Sequence, residues 1–186
     1  MSTLKVDTIL KRTGTGTITV GQSGDTISIP SGATLNSAGT NTLEGIDNTP
    51  AFQVQKSAAQ SISNNTTTKV TFDTEILDTD NTFASDKFTP GVAGKYQLSC
   101  QVGISNMDDQ KYNQVLLYKN GSQLNSKPMT IITGSNTQDL YSRFVYIVDA
   151  NTTDYFEIYV RHNNGNSRDL TFNQQTNFAG FRILGA

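Results

Sequence analysis

His162 and Cys100 are the single histidine and the single cysteine of a 186-residue chain. A zinc centre built on several of these ligands, and thiol–disulfide exchange between two cysteines, are both left without parts. His162 has no Ser or Cys nucleophile beside it, and Asp169 in the same polar tract does not make a dyad, so it reads as a surface histidine. Cys100 alternates with apolar residues and reads as a small buried hydrophobe. Gly91-Val92-Ala93-Gly94-Lys95 approximates a phosphate-binding loop. Its spacing is too short, Tyr96 stands where a Ser or Thr hydroxyl is needed, and a strand rather than a helix follows. Asp78-Thr79-Asp80-Asn81-Thr82 begins like a calcium loop but lacks the later glycine and glutamate, which leaves a solvated turn.

The remaining chemistry lies in polar tracts. Met107, Asp108, Asp109 and Lys111 form one, residues 134–138 a second, and Asn163, Asn164, Asn166, Arg168 and Asp169 a third. Amides, carboxylates and a guanidinium supply the donors and acceptors that a sugar hydroxyl needs, and Tyr112 offers a stacking face. Loops on a rigid scaffold are where binding residues concentrate. These three tracts are the candidate ligand loops. No catalytic group, metal or cofactor is assigned.

The elements that must carry those loops follow from composition and pattern. Hydrophobic residues make up 35% and charged residues 16% of the chain, against roughly 45–50% (Gly included) and about 25% in an average domain. Thr, Ser, Asn, Gln and Gly fill the difference, which suits turns and wet strand faces, while nine Phe and seven Tyr supply a core. The formal charge of −2 gives no basic excess to neutralise a phosphate backbone, so nucleic acid is excluded as a partner. The longest apolar run, Phe144 to Val148, is far short of the roughly 20 residues of a spanning helix, so no membrane insertion is expected. The opening residues carry no apolar signal core, which predicts a protein made in the cytoplasm.

Two grammars divide the chain. Residues 1–50 hold 11 Thr and seven Gly but no Phe or Tyr. A Thr-Ile or Thr-Leu pair recurs at 17, 26, 34 and 42, with glycines between, which predicts an extended stalk of very short strands. Units that small bury no core alone and need stacking on neighbours or other chains. Residues 51–186 are predicted to be all-β, with strands at Ala51–Lys56, Lys69–Asp73, Lys87–Thr89, Lys95–Ile104, Gln114–Lys119, Asp139–Val148, Asp154–Arg161 and Asn177–Leu184. Tyr96, Leu98, Cys100, Val102 and Ile104 share one face of the clearest of them. Two strands carry a second apolar face: Tyr141, Val145 and Ile147 in one, Tyr155 and Tyr159 in the other. A sandwich strand needs one apolar face, so these five residues are the candidate subunit interface.

Phe88-Thr89-Pro90-Gly91-Val92-Ala93-Gly94-Lys95-Tyr96 resembles the F-x-x-P-x-x-G-x-Y signature of C1q-like domains. Lys69-Val70-Thr71-Phe72-Asp73, Leu116-Leu117-Tyr118-Lys119-Asn120-Gly121 and the closing Phe178-Ala179-Gly180-Phe181 agree in order. The resemblance implies a ten-stranded jelly roll of the C1q/tumour-necrosis-factor type over residues 51–186, assembling as a homotrimer. Separately, Leu4-Lys5-Val6-Asp7-Thr8-Ile9 with Arg12 to Val20 and Ser23 to Leu35 is similar to N-terminal segments of marine bacteriophage, especially cyanophage, structural proteins. That resemblance implies a non-enzymatic virion protein: a fibre, knob or appendage anchored to other virion proteins through residues 1–50, its head facing a host surface glycan or protein. A capsid decoration protein is the alternative, and a glycan-cleaving tail-spike enzyme a more distant one.

Overall fold

The computed structural model describes residues 19–33, 48–124, 129–132, 134 and 138–184. Among them fourteen strands form and no helix does. In chain order they are β1 (Ala51–Lys56), β2 (Ser61–Ile62), β3 (Thr68–Lys69), β4 (Thr74–Asp78), β5 (Phe83–Ala84), β6 (Lys87–Phe88) and β7 (Gly94–Met107). After them come β8 (Tyr112–Lys119), β9 (Ser122–Gln123), β10 (Met129–Ile132), β11 (Gln138–Ala150), β12 (Phe156–His162), β13 (Arg168–Asp169) and β14 (Asn173–Ile183). One sheet runs β11-β7-β14-β1-β4. The second runs β10-β8-β12-β6-β5, with β3 on β12 and β9 on β8, and β2 and β13 form a small ribbon.

The period-2 pattern of β7 decides which side faces the core. Tyr96, Leu98, Cys100, Val102 and Ile104 are each 3% exposed or less. Val115 and Leu117 of β8 and Phe156, Ile158 and Val160 of β12 are buried in the same core cluster. Phe52 anchors the middle, its ring 4.2 Å from Phe88 and 4.8 Å from Phe178 between centroids. The buried Tyr96 hydroxyl donates to Val92 O at 2.7 Å, so the core takes the ring without an unmet polar group. Asn113 ties the two sheets: its Nδ2 donates to Val102 O and Leu140 O, both at 3.0 Å.

Several expectations change. The strand expected over 69–73 is only Thr68–Lys69, although Val70 beyond it is fully buried. Thr74–Asp78 was missed because it is an edge strand with Ile76 and Leu77 adjacent and both about half exposed, which erases the alternation. In the N-terminal segment, residues 19–33 of the single chain are exposed and form no strand. They hold two turns instead, closed by Asp25 N–H to Gln22 O and Ala33 N–H to Pro30 O, both 3.0 Å. The remaining stalk repeats lie outside the described residues. The chain divides into two units, Met1–Thr42 and Leu43–Ala186.

Candidate functional site

The strand register arranges the outward face of the β11-β7-β14-β1-β4 sheet in rows. Ile147, Gln97, Phe181 and Ala51 pair across one row. Val145, Ser99, Ala179, Gln53 and Leu77 follow, then Arg143, Gln101, Asn177 and Gln55. The first two rows carry open apolar side chains among the polar Gln97, Ser99 and Gln53: Val145 is 64%, Ile147 66%, Leu77 48% and Phe181 36% exposed. Ile147 also borders a cleft of about 360 Å3 lined by Leu117, Lys119 and Leu124.

Tyr141 belongs to this face but packs on its own sheet. It pairs with Gly103, where a Cβ would lie 2.6 Å from Tyr141 Cε1 and 2.2 Å from Thr171 Oγ1. The glycine is what lets the ring lie flat on the strand. Burial, then the charge of Asp139 and a hydrogen bond to it, push the Tyr141 phenol pKa up.

Tyr155 and Tyr159 stand on the outward face of the other sheet, so the five candidate interface residues form two patches rather than one. Tyr159 packs on Tyr118 with centroids 4.1 Å apart. Lys87 Nζ lies 4.7 Å from the centre of the Tyr155 ring, and Lys69 pairs with the buried Glu157 at 2.9 Å. Burial foremost, then Glu157 and the neighbouring tyrosines, raises the Tyr159 pKa.

Two of the three candidate ligand loops meet, and they do so by contacting each other. Asn164 is buried, its Oδ1 accepting Asp108 N–H at 2.8 Å and its Nδ2 donating to Asp108 Oδ2 at 2.9 Å. Arg168 reaches Asp108 at 3.3 Å and Asn106 O at 2.8 Å. Asn163 Oδ1 accepts Tyr112 N–H at 2.8 Å. These side chains hold the loops in shape. Met107 is fully buried in the core, contrary to its assignment to a ligand loop, because β7 continues to that residue. Asp109 is half-buried and its Oδ1 caps Gln110 N–H at 2.9 Å. Asn166 and Asp169 are exposed. Of the tract 134–138, only Gly134 and Gln138 are described, and Gln138 opens β11.

His162 is a clear correction: it is fully buried, not superficial. Asn164 N–H donates to its Nδ1 at 3.2 Å, so Nε2 carries the proton and donates to Ile62 O at 3.0 Å. Burial, outweighing the opposing hydrogen bond to Ile62, lowers its pKa. Cys100 is buried and its thiol pKa is pushed well up by burial, which makes it unreactive. Among the described residues no cluster of three or more His, Cys, Asp or Glu is placed to hold a metal ion, and no helix is long and apolar enough to cross a membrane.

A groove of about 750 Å3, not expected from the sequence, lies beside the loop cluster, where Ser105, Asp139, Asp169, Phe172, Gln174 and Gln175 converge. Only Asp169 of these was a candidate. The signal available was Phe172, an aromatic in a polar tract.

No family model and no curated protein matches the sequence. Solved structures do. The globular domain of zebrafish complement 1qA aligns over 72% of this chain and 97% of its own, at 18% identity and a TM-score of 0.50. Murine APRIL at pH 5.0 aligns over 72% and 98%, at 13% identity and 0.54. Eiger TNF from S. frugiperda aligns over 73% and 93%, at 11% identity and 0.51. The head is a jelly roll of the C1q/tumour-necrosis-factor type. At these identities the likeness is one of fold, and function has to be argued from the site.

Proposed function

We propose that the chain is a non-enzymatic bacteriophage virion structural protein, a homotrimeric fibre, knob or appendage. Residues 1–50 attach it to other virion proteins, and the head contacts the host surface. The observation that carries the reading is the set of apolar side chains Val145, Ile147, Phe181 and Leu77 on the outward face of the β11-β7-β14-β1-β4 sheet, open to solvent in a single chain. Exposed apolar area of this kind marks an assembly surface. Threefold assembly is heterologous, so one patch meets a different patch on the next subunit and the ring closes. Two separate patches, Val145 and Ile147 on one sheet and Tyr155 and Tyr159 on the other, suit that geometry. The similarity of residues 4–35 to phage structural segments supports the virion context. The burial of His162 and Cys100 supports a binding role over a hydrolytic one.

The test is electron microscopy of particles assembled with gold-labelled protein, comparing the full chain with residues 51–186 alone. Label at the tail or a projecting appendage, present for the full chain and absent for the head alone, is the expected result. Label spread over the capsid faces would replace the fibre with a decoration protein. Unlabelled particles, or incorporation of the head alone, would overturn the attachment role of residues 1–50.

A further inference from the structure

We propose that the groove around Phe172 binds a neutral saccharide unit. The inference rests on reading the head as the part that meets a cell surface, and it names the site and the ligand class.

Charge narrows the ligand first. Asp139 and Asp169 border the groove, and among the described residues no Lys, Arg or His lines it. Two carboxylates with no cation repel sugar acids and phosphates, more so in a concave site where field lines concentrate. Polarity narrows it further. Ser105, Gln174 and Gln175 contribute a hydroxyl and amides, and Leu170 beneath them is buried. The one large apolar surface offered is the ring of Phe172, 44% exposed. An apolar ligand would strand those polar groups without partners. A pyranose matches both halves: its C–H face lies on an aromatic ring while its hydroxyls meet carboxylates and amides at the rim.

The backbone leading to the ring is held in place before any ligand arrives. Leu170 N–H donates to Gln60 O and Thr171 N–H to Gly103 O, both at 2.9 Å. Thr171 Oγ1 lies 3.3 Å from Thr176 Oγ1, both buried. Asn173 on the other side pairs with Lys56 of β1, so Phe172 projects from a backbone fixed on each side, which lowers the ordering cost of binding. Asp139 is fixed as well, accepting Asn106 N–H at 3.2 Å and hydrogen-bonded to the Tyr141 phenol.

The groove sits at a useful end of the sheet. Gln55, near the end of β1, lines it, at the opposite end of that strand from Ala51. Cyclic symmetry would set three copies level with one another, so weak single sites would add as avidity.

The test uses the full chain on immobilised neutral oligosaccharides (glucose, galactose, mannose and N-acetylglucosamine series) alongside heparin and polysialic acid. Retention on at least one neutral series and on neither acidic polymer is expected. Phe172→Ala should weaken it about three- to ten-fold, the worth of one aromatic stacking contact, while Phe172→Tyr keeps it. Melting temperature and assembled mass should be unchanged in both variants. No neutral retention, retention on acidic polymers alone, or binding indifferent to Phe172→Ala would overturn the proposal. So would loss of the oligomer in Phe172→Ala, since the groove would then be a subunit contact. Any of these failures leaves the particle-labelling result standing, because that experiment does not depend on sugar binding.

Discussion

The ring of Tyr141 lies on Gly103, its partner across the β11–β7 ladder, with room for a hydrogen but not for a methyl group. A methyl there would also run into Thr171, which fixes the segment leading to Phe172. One glycine thus couples the outward sheet face to the groove. Gly103→Ala should destabilise the head by about 1–3 kcal/mol, the usual cost of overpacking. Thermal unfolding checks it, and an unchanged midpoint would show that the ring and Thr171 give way freely.

The Val145–Ile147 patch and the tyrosine patch make separable predictions. Val145 and Ile147 are about two-thirds exposed, so Val145→Asp with Ile147→Asp should leave the single head folded. The same change should split the assembly, because two carboxylates would be buried unpaired at the contact. Tyr155→Ser with Tyr159→Ser removes the Tyr118 stacking and the Lys87 contact, and weaker assembly is expected there too. Sedimentation velocity on both double variants decides between the patches: whichever leaves the assembled species unchanged is not an interface.

Acid should weaken the head in two steps, and the sign follows from the shifts. His162 is neutral in the fold and its pKa is lowered by burial, so the unfolded chain takes up the proton first. Its contribution is complete above about pH 6.5 and declines below it. Asp154 is held at about 2 by hydrogen bonds from Lys119, the Asn151 N–H and Asn120. Its contribution is lost as pH falls from near 4 through that value. His162→Gln should remove the first step and leave the second. A denaturant midpoint flat between pH 7.5 and 5 in the parent protein would contradict the role given to His162.

Residues 51–186 should fold and assemble without the N-terminal unit, since every residue of the core cluster lies between Phe52 and Phe178. Circular dichroism and light scattering on that fragment check it. Aggregation or an unfolded spectrum would mean that residues 1–50 complete the head.

What was legible in the sequence was what one strand's alternation determines. β7 shows its buried face in Tyr96 to Ile104 without help, and β1 was placed to the residue. Alternation says which residues of a strand share a side, not which sheet the strand joins. Hence Val145 and Tyr159 were rightly read as outward yet fell on opposite sheets, a distinction made only by non-local pairing. His162 and Asn164 were misread for a related reason. Polar residues in a polar tract look solvated until the two-residue β2 and the Asp108 loop close over them. Phe172 was overlooked because exposure of an aromatic becomes visible only once its neighbours are anchored.

The most direct measurement is the mass of the intact chain in dilute solution by multi-angle light scattering. A single species of three times the 20.2 kDa chain mass is expected. A stable species at 20.2 kDa, with Val145 and Ile147 left open to water, would contradict it.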